Sequence, residues 1–155
     1  MPRTALIVVV PEAQHVVADG FAPPGVPAHV TILYPFADGR DVDETAVAEV
    51  AASFAAFDFE LDRFEQFDDG LAWLRAEPAE RFVALTNAVW RRFPDYPPYE
   101  GAHDVLVPHL TVSTVPVDVG IELPIRATAR EVTLIEEAAD GRWSVRRVFT
   151  LQGVA

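Results

Sequence analysis

The chain has 155 residues, enough to bury a sizeable core in one domain or two small lobes, and half of them are hydrophobic, which excludes a disordered tail. Its formal net charge of -12 disfavours broad binding to long nucleic acids, whose non-specific affinity comes from cations that displace counterions. With no cysteine, disulfides and thiol chemistry are excluded, and no apolar run reaches the ~20 residues that span a bilayer.

The start is basic and then apolar, but the apolar run is too short for a secretion signal and is broken by Pro11-Glu12. It reads instead as a buried strand over residues 4–10, rich in β-branched side chains. Residues 11–27, with Pro23-Pro24-Gly25 among them, read as a loop. A second strand over 28–34 is stopped by Pro35. Asp41 or Asp43 then caps a helix running to about Phe57, with Val42, Ala46, Val47, Val50, Phe54 and Phe57 on its apolar side. Residues 58–67 alternate as a half-exposed strand does, with a bulge expected near Arg63-Phe64. Asp68-Asp69-Gly70 makes a turn, and the strand over 71–76 pairs back across it. Pro78 sits in the first turn of a second helix carrying Phe82, Leu85, Val89 and Phe93 at helical spacing. An irregular aromatic loop over 94–104 leads to a strand over 105–113. A final hairpin joins 130–137 to 142–151 around Asp140-Gly141.

Nothing resembling a linker divides the chain, so a single bilobal α+β domain over residues 1–155 is expected. Each half carries one long helix and one strand with the pattern His-x-Thr. The two strands follow proline-marked loops, Val26-Pro27-Ala28-His29 and Val107-Pro108-His109. On a strand, residues two apart point the same way, so His29 and Thr31 share a face while Val30 and Ile32 fill the other. His109 and Thr111 repeat this, with Leu110 and Val112 behind them. An unpaired buried polar group costs about 1–3 kcal/mol, so these polar faces call for partners or an open cleft.

Phosphodiester chemistry gives two such faces a purpose. With an unperturbed pKa of about 6.5, one imidazole serves as base and another as acid near neutrality. In-line displacement at phosphorus requires the two on opposite sides, and threonine hydroxyls donate to the non-bridging oxygens where charge accumulates. A single His-x-Thr is most simply structural; two copies in matching contexts are much harder to reach by chance.

The segments Pro27-Ala28-His29-Val30-Thr31-Ile32-Leu33-Tyr34-Pro35-Phe36 and Val107-Pro108-His109-Leu110-Thr111-Val112 resemble the paired signatures of the 2H phosphoesterase superfamily, and within it the bacterial 2'-5' RNA ligase family proteins. The resemblance implies a bilobal pseudo-two-fold fold, with two mostly antiparallel sheets flanking a central cleft and helices outside. It also implies catalysis by His29 and His109, phosphate binding by Thr31 and Thr111, and neither cofactor nor metal. The implied activity is a metal-independent phosphodiesterase for a small cyclic nucleotide or an RNA 2',3'-cyclic phosphate end. The alternative is a nucleotide- or RNA-end-binding module of the same fold with little turnover. Ligase-like members often carry a basic residue three positions after the second threonine; here that position is Thr114. This departure speaks against RNA ligation and tight binding of long RNA.

Tyr34 and Phe36 are candidates for stacking on a base, against a plain packing role. His103, beside Asp104, is a candidate for lining the pocket, against a surface loop pair. His15 reads as a surface residue, and Tyr96 and Tyr99 as candidate lids of the cleft. No metal-ligand spacing is present. The expected protein is a cytoplasmic monomer acting on a small nucleotide or an RNA terminus, away from membranes.

Overall fold

The computed structural model describes residues 3–18, 22–66, 70–101, 106–113 and 122–153. The expected turn residues Asp68 and Asp69, together with His103, Asp104 and Thr114, lie outside the described residues. In chain order the regular elements are β1 (Thr4–Val9), β2 (His29–Leu33), α1 (Glu44–Ala52), β3 (Phe57–Gln66), β4 (Ala72–Glu77), α2 (Ala79–Arg92), β5 (His109–Ser113), β6 (Ile125–Ala129), β7 (Glu131–Glu137) and β8 (Trp143–Thr150).

These strands form two four-stranded antiparallel sheets, ordered β2-β1-β7-β8 and β5-β4-β3-β6. The first takes its strands from the two ends of the chain and the second from the middle. Alternation sends one face of each sheet into a shared core. Leu6, Val8, Val30, Ile32 and Leu134 enter it from the first sheet, and Phe59, Leu61, Leu74, Leu110 and Val112 from the second. Val47 and Ala51 of α1 and Phe82, Leu85 and Val89 of α2 join the same cluster, as helical spacing requires. Thr86 of α2 donates its hydroxyl to the Ile32 carbonyl at 2.7 Å, tying the helix to β2. The helices thus lie on the core side, and the opposite faces of the sheets flank the cleft.

Several local expectations are corrected. The helix expected to reach Phe57 is capped by Asp43, whose carboxylate accepts from the Ala46 N–H at 3.1 Å, and ends at Ala52. Phe57 instead opens β3, because Phe57, Phe59 and Leu61 alternate into the core opposite Ala129, Ala127 and Ile125 of β6. The strand β6 itself has no counterpart among the elements expected from the sequence. The loop assigned to 11–27 contains a 3-10 turn, Pro11–Val16, which buries Ala13 and Val16. Pro78 is the N-cap residue of α2 and not part of its first turn. The β3 irregularity falls between Leu61 and Arg63, just before the expected bulge.

Candidate functional site

The motif strands β2 and β5 are edge strands of their respective sheets and pack against one another. On β2, His29 lies opposite Val9 and Thr31 opposite Ile7 of β1. On β5, His109 lies opposite Arg75 and Thr111 opposite Trp73 of β4. Val30, Ile32, Leu110 and Val112 are buried behind them, while both histidines and both threonines are half-buried on the other face. The structure therefore brings the two motifs together with the side-chain parity read from the sequence.

The two histidines are held alike. His29 Nδ1 bonds the Pro27 carbonyl at 2.8 Å, and His109 Nδ1 bonds the Val107 carbonyl at 2.7 Å, each acceptor two residues upstream. A carbonyl only accepts, so Nδ1 carries the hydrogen in both rings, and Nε2 is the nitrogen with a lone pair to take up a proton. The residue before each histidine is also fixed. The Ala28 carbonyl accepts from the Val10 N–H at 2.8 Å, and the Pro108 carbonyl accepts from the Ala76 N–H at 3.2 Å. Ala28 needs a partner for its own N–H and finds it in the Gln14 side chain at 2.7 Å; Pro108 has no N–H to satisfy.

Burial pushes the His29 pKa below its ordinary value, the bond to the Pro27 carbonyl opposes this, and the charge of His109 pushes it down again. The two imidazoles are thus electrostatically coupled. The His109 ring also meets the Trp73 indole edge-on, with centroids 5.7 Å apart. Beside it, Arg75 makes a two-pronged bond to Asp62 at 2.9 and 3.1 Å and pairs with Glu77 at 3.5 Å. The Arg75 bond holds the Asp62 carboxyl below the usual range.

Tyr34 is half-buried. Its hydroxyl accepts from the Arg3 guanidinium at 3.1 Å, and its ring meets Trp143 edge-on at 6.3 Å. Phe36 is 5% exposed, with its ring packed between Phe93 at 5.1 Å and Tyr96 at 5.7 Å; it is part of the core. Tyr96 therefore packs inward as well. Tyr99 reaches the site, since it lines a small cavity together with Thr31. Trp73 and Arg75 are not singled out by the sequence, because their place beside Thr111 and His109 depends on which strand pairs with β5. His15 is exposed. Among the described residues no group of three or more His, Asp or Glu is placed to hold a metal ion. Also among them, no helix is long and apolar enough to cross a membrane.

Two sheets of matching order, each presenting a His-x-Thr edge strand to a common cleft, define the bilobal architecture of the 2H phosphoesterases. The sequence profile of the 2'-5' RNA ligase superfamily matches residues 11–152, and the chain belongs to that superfamily. Membership supports a phosphoesterase-type enzyme activity. Solved structures agree on the fold. The protein TT0787 of Thermus thermophilus superposes with a TM-score of 0.70 at 19% identity, over 99% of this chain and 100% of that one. E. coli LigT complexed with 3'-AMP gives 0.68 at 17% identity, over 97% and 99%. The same E. coli protein complexed with NADP+ gives 0.69 at 16% identity, over 98% and 99%. No curated protein matches the sequence.

Proposed function

We propose that the chain is a metal-independent phosphodiesterase that opens a small cyclic nucleotide, or the 2',3'-cyclic phosphate at an RNA end, by two-histidine acid–base catalysis. The observation that carries this reading is the matched pair of imidazoles on facing edge strands, each with Nδ1 tied to a backbone carbonyl. The lowered pKa of His29 keeps it neutral near pH 7, which suits the base that takes a proton from water through Nε2. His109, on the opposing strand, then protonates the departing ribose oxygen through its own Nε2. Thr31 and Thr111 donate to the non-bridging oxygens as charge builds on them. Tyr34, on the strand end just beyond Thr31, is proposed to border the nucleoside. The small nucleotides named in the LigT complexes support a substrate of this size.

The test is steady-state turnover of a panel of 2',3'-cyclic nucleotides, ADP-ribose cyclic phosphate and short RNA oligomers, with and without chelator. Parent turnover should survive chelation. His29→Ala and His109→Ala should each lose about 10²–10⁴-fold, and the double variant much less than the product of the two losses. The rate–pH profile should be bell-shaped, its limbs belonging to the coupled pair. If either single variant keeps near-parent turnover while folded, the mechanism is wrong. Nucleotide binding without turnover would identify a binding module.

A further inference from the structure

Ala28, the residue before the first motif histidine, is clamped through both of its backbone polar groups by the segment that follows β1. The Val10 N–H donates to its carbonyl at 2.8 Å, and its own N–H donates to the Gln14 side-chain oxygen at 2.7 Å. Gln14 sits in the turn Pro11–Val16, whose Ala13 and Val16 are buried and hold the turn against the core. Beyond it, the Ala18 N–H donates to the Val112 carbonyl of β5 at 2.9 Å, fastening the same segment to the second motif strand. The N–H that Gln14 meets belongs to the Pro27–Ala28 peptide, and the carbonyl of that same peptide accepts from His29 Nδ1 at 2.8 Å. One rigid plane therefore carries both bonds, with the glutamine on its nitrogen side and the imidazole on its oxygen side.

We propose that Gln14 is a positioning residue for His29, acting through the Pro27–Ala28 peptide to fix the carbonyl that holds Nδ1 and hence the direction of Nε2. A peptide plane can rock about its flanking bonds, and a second hydrogen bond on the opposite side removes that freedom. An amide whose N–H is engaged is also a better acceptor at its oxygen, because hydrogen bonds in series polarise one another. The Pro27 bond favours the charged ring against burial, and Gln14 strengthens that bond. Val9 stands beside His29 on β1, and the turn that bears Gln14 also carries Glu12 and His15, both exposed; the charge that acts on the ring is that of His109 on β5. His109 has no such relay. Its Nδ1 is held by the Val107 carbonyl, whose peptide continues into Pro108 and has no N–H for a side chain to meet.

As a contribution to turnover this inference rests on the proposed phosphodiesterase reading, but the ring itself can be watched without any turnover. The pH titration of the ring nitrogens is followed by heteronuclear NMR in the parent, Gln14→Leu and Gln14→Glu, with His29→Gln assigning the His29 signals. In Gln14→Leu the His29 midpoint should fall by about 0.3, roughly a twofold loss of proton affinity, and its Nδ1 proton should exchange faster with water. The carboxylate of Gln14→Glu keeps the acceptor and should move the midpoint up. The His109 signals should move less than those of His29 in both variants. Where the parent turns over, Gln14→Leu should lower kcat about three- to tenfold, the range of one hydrogen bond, with KM little changed. Gln14→Glu should lose less. Thermal unfolding separates this from a merely structural role: a Gln14→Leu that unfolds earlier but titrates His29 as the parent does overturns the proposal, as does a folded Gln14→Leu with parent kcat. A Gln14→Glu midpoint equal to the parent's overturns it too, even where Gln14→Leu does not fold. If the parent turns over no member of the panel, the phosphodiesterase reading fails, while the ring titration still supports or overturns the role of Gln14.

Discussion

The proposed division of roles, His29 as base and His109 as acid, has consequences that a paired motif alone does not predict. A base must act whatever the leaving group, whereas an acid is needed only when the departing oxygen is a poor one. With bis(p-nitrophenyl) phosphate, whose leaving group departs unprotonated, His109→Ala should recover most of the parent rate while His29→Ala remains crippled. Equal losses for the two variants on this substrate would overturn the assignment. The lowered pKa of His29 also links it to stability. Below about pH 6.5 the unfolded chain takes up a proton that the folded site resists, so the unfolded state binds more protons. The stabilising contribution is complete above the unfolded value and is lost as pH falls through the folded one. Denaturant titrations of the parent and His29→Gln should therefore converge as pH drops from 7 toward 5. A parent whose acid sensitivity in that window is unchanged by the substitution would show that His29 is not its source.

At the scale of elements, the loop before β2 is pinned by Gly25. Its φ of 89° is one that side-chain-bearing residues rarely adopt, and a Cβ there would sit 1.9 Å from the Trp143 carbonyl oxygen. Trp143 in turn donates its N–H to the Pro24 carbonyl at 2.8 Å, closing the loop on the start of β8. Gly25→Ala should cost more than the roughly 1–2 kcal/mol of the left-handed backbone alone, read as a lower denaturation midpoint at unchanged slope. A variant as stable as the parent would mean that this contact yields freely. The elements legible in the sequence are those whose apolar period is unambiguous: β1, β2, α2, β5 and the final hairpin. The end of α1 is misread because Phe54 and Phe57 fit a helical face as well as Phe57 and Phe59 fit a strand; only pairing with β6 decides between them. That partner is itself hard to see, since its buried side chains beyond Ile125 are Ala127 and Ala129, too small to mark a period. The motif face is readable from parity, whereas Trp73 and Arg75 reach it through strand pairing, and Tyr99 comes to line a cavity with Thr31 through a turn that no local pattern specifies.

Across the whole molecule, the net charge of -12 is accompanied by arginines already committed to neighbours. Arg3 pairs with Glu137, Arg75 with Asp62, Arg126 with Glu60, and Arg146 with both Glu44 and Glu136. Arginines so engaged have less to offer the phosphates of a long RNA. Its affinity should therefore be weak, with a log–log salt dependence equivalent to one or two phosphates at about 0.7 each for a single strand. Fluorescence anisotropy of a labelled RNA across a salt series measures this, and tight, steeply salt-dependent binding would contradict it. The interleaved sheets carry one more consequence, for the order in which the protein comes into being. The middle sheet draws all its strands from β3 to β6, within residues 57–129, and it is available for pairing as soon as β6 has been synthesised. The other sheet cannot close until its last two strands exist: Arg3 meets Glu137 across 134 positions of chain. Such distant partners make for slow closure. On the ribosome, the half of the cleft bearing His109 thus has all its strands while the half bearing His29 still awaits β7 and β8, and the two faces can meet only once β8 has emerged.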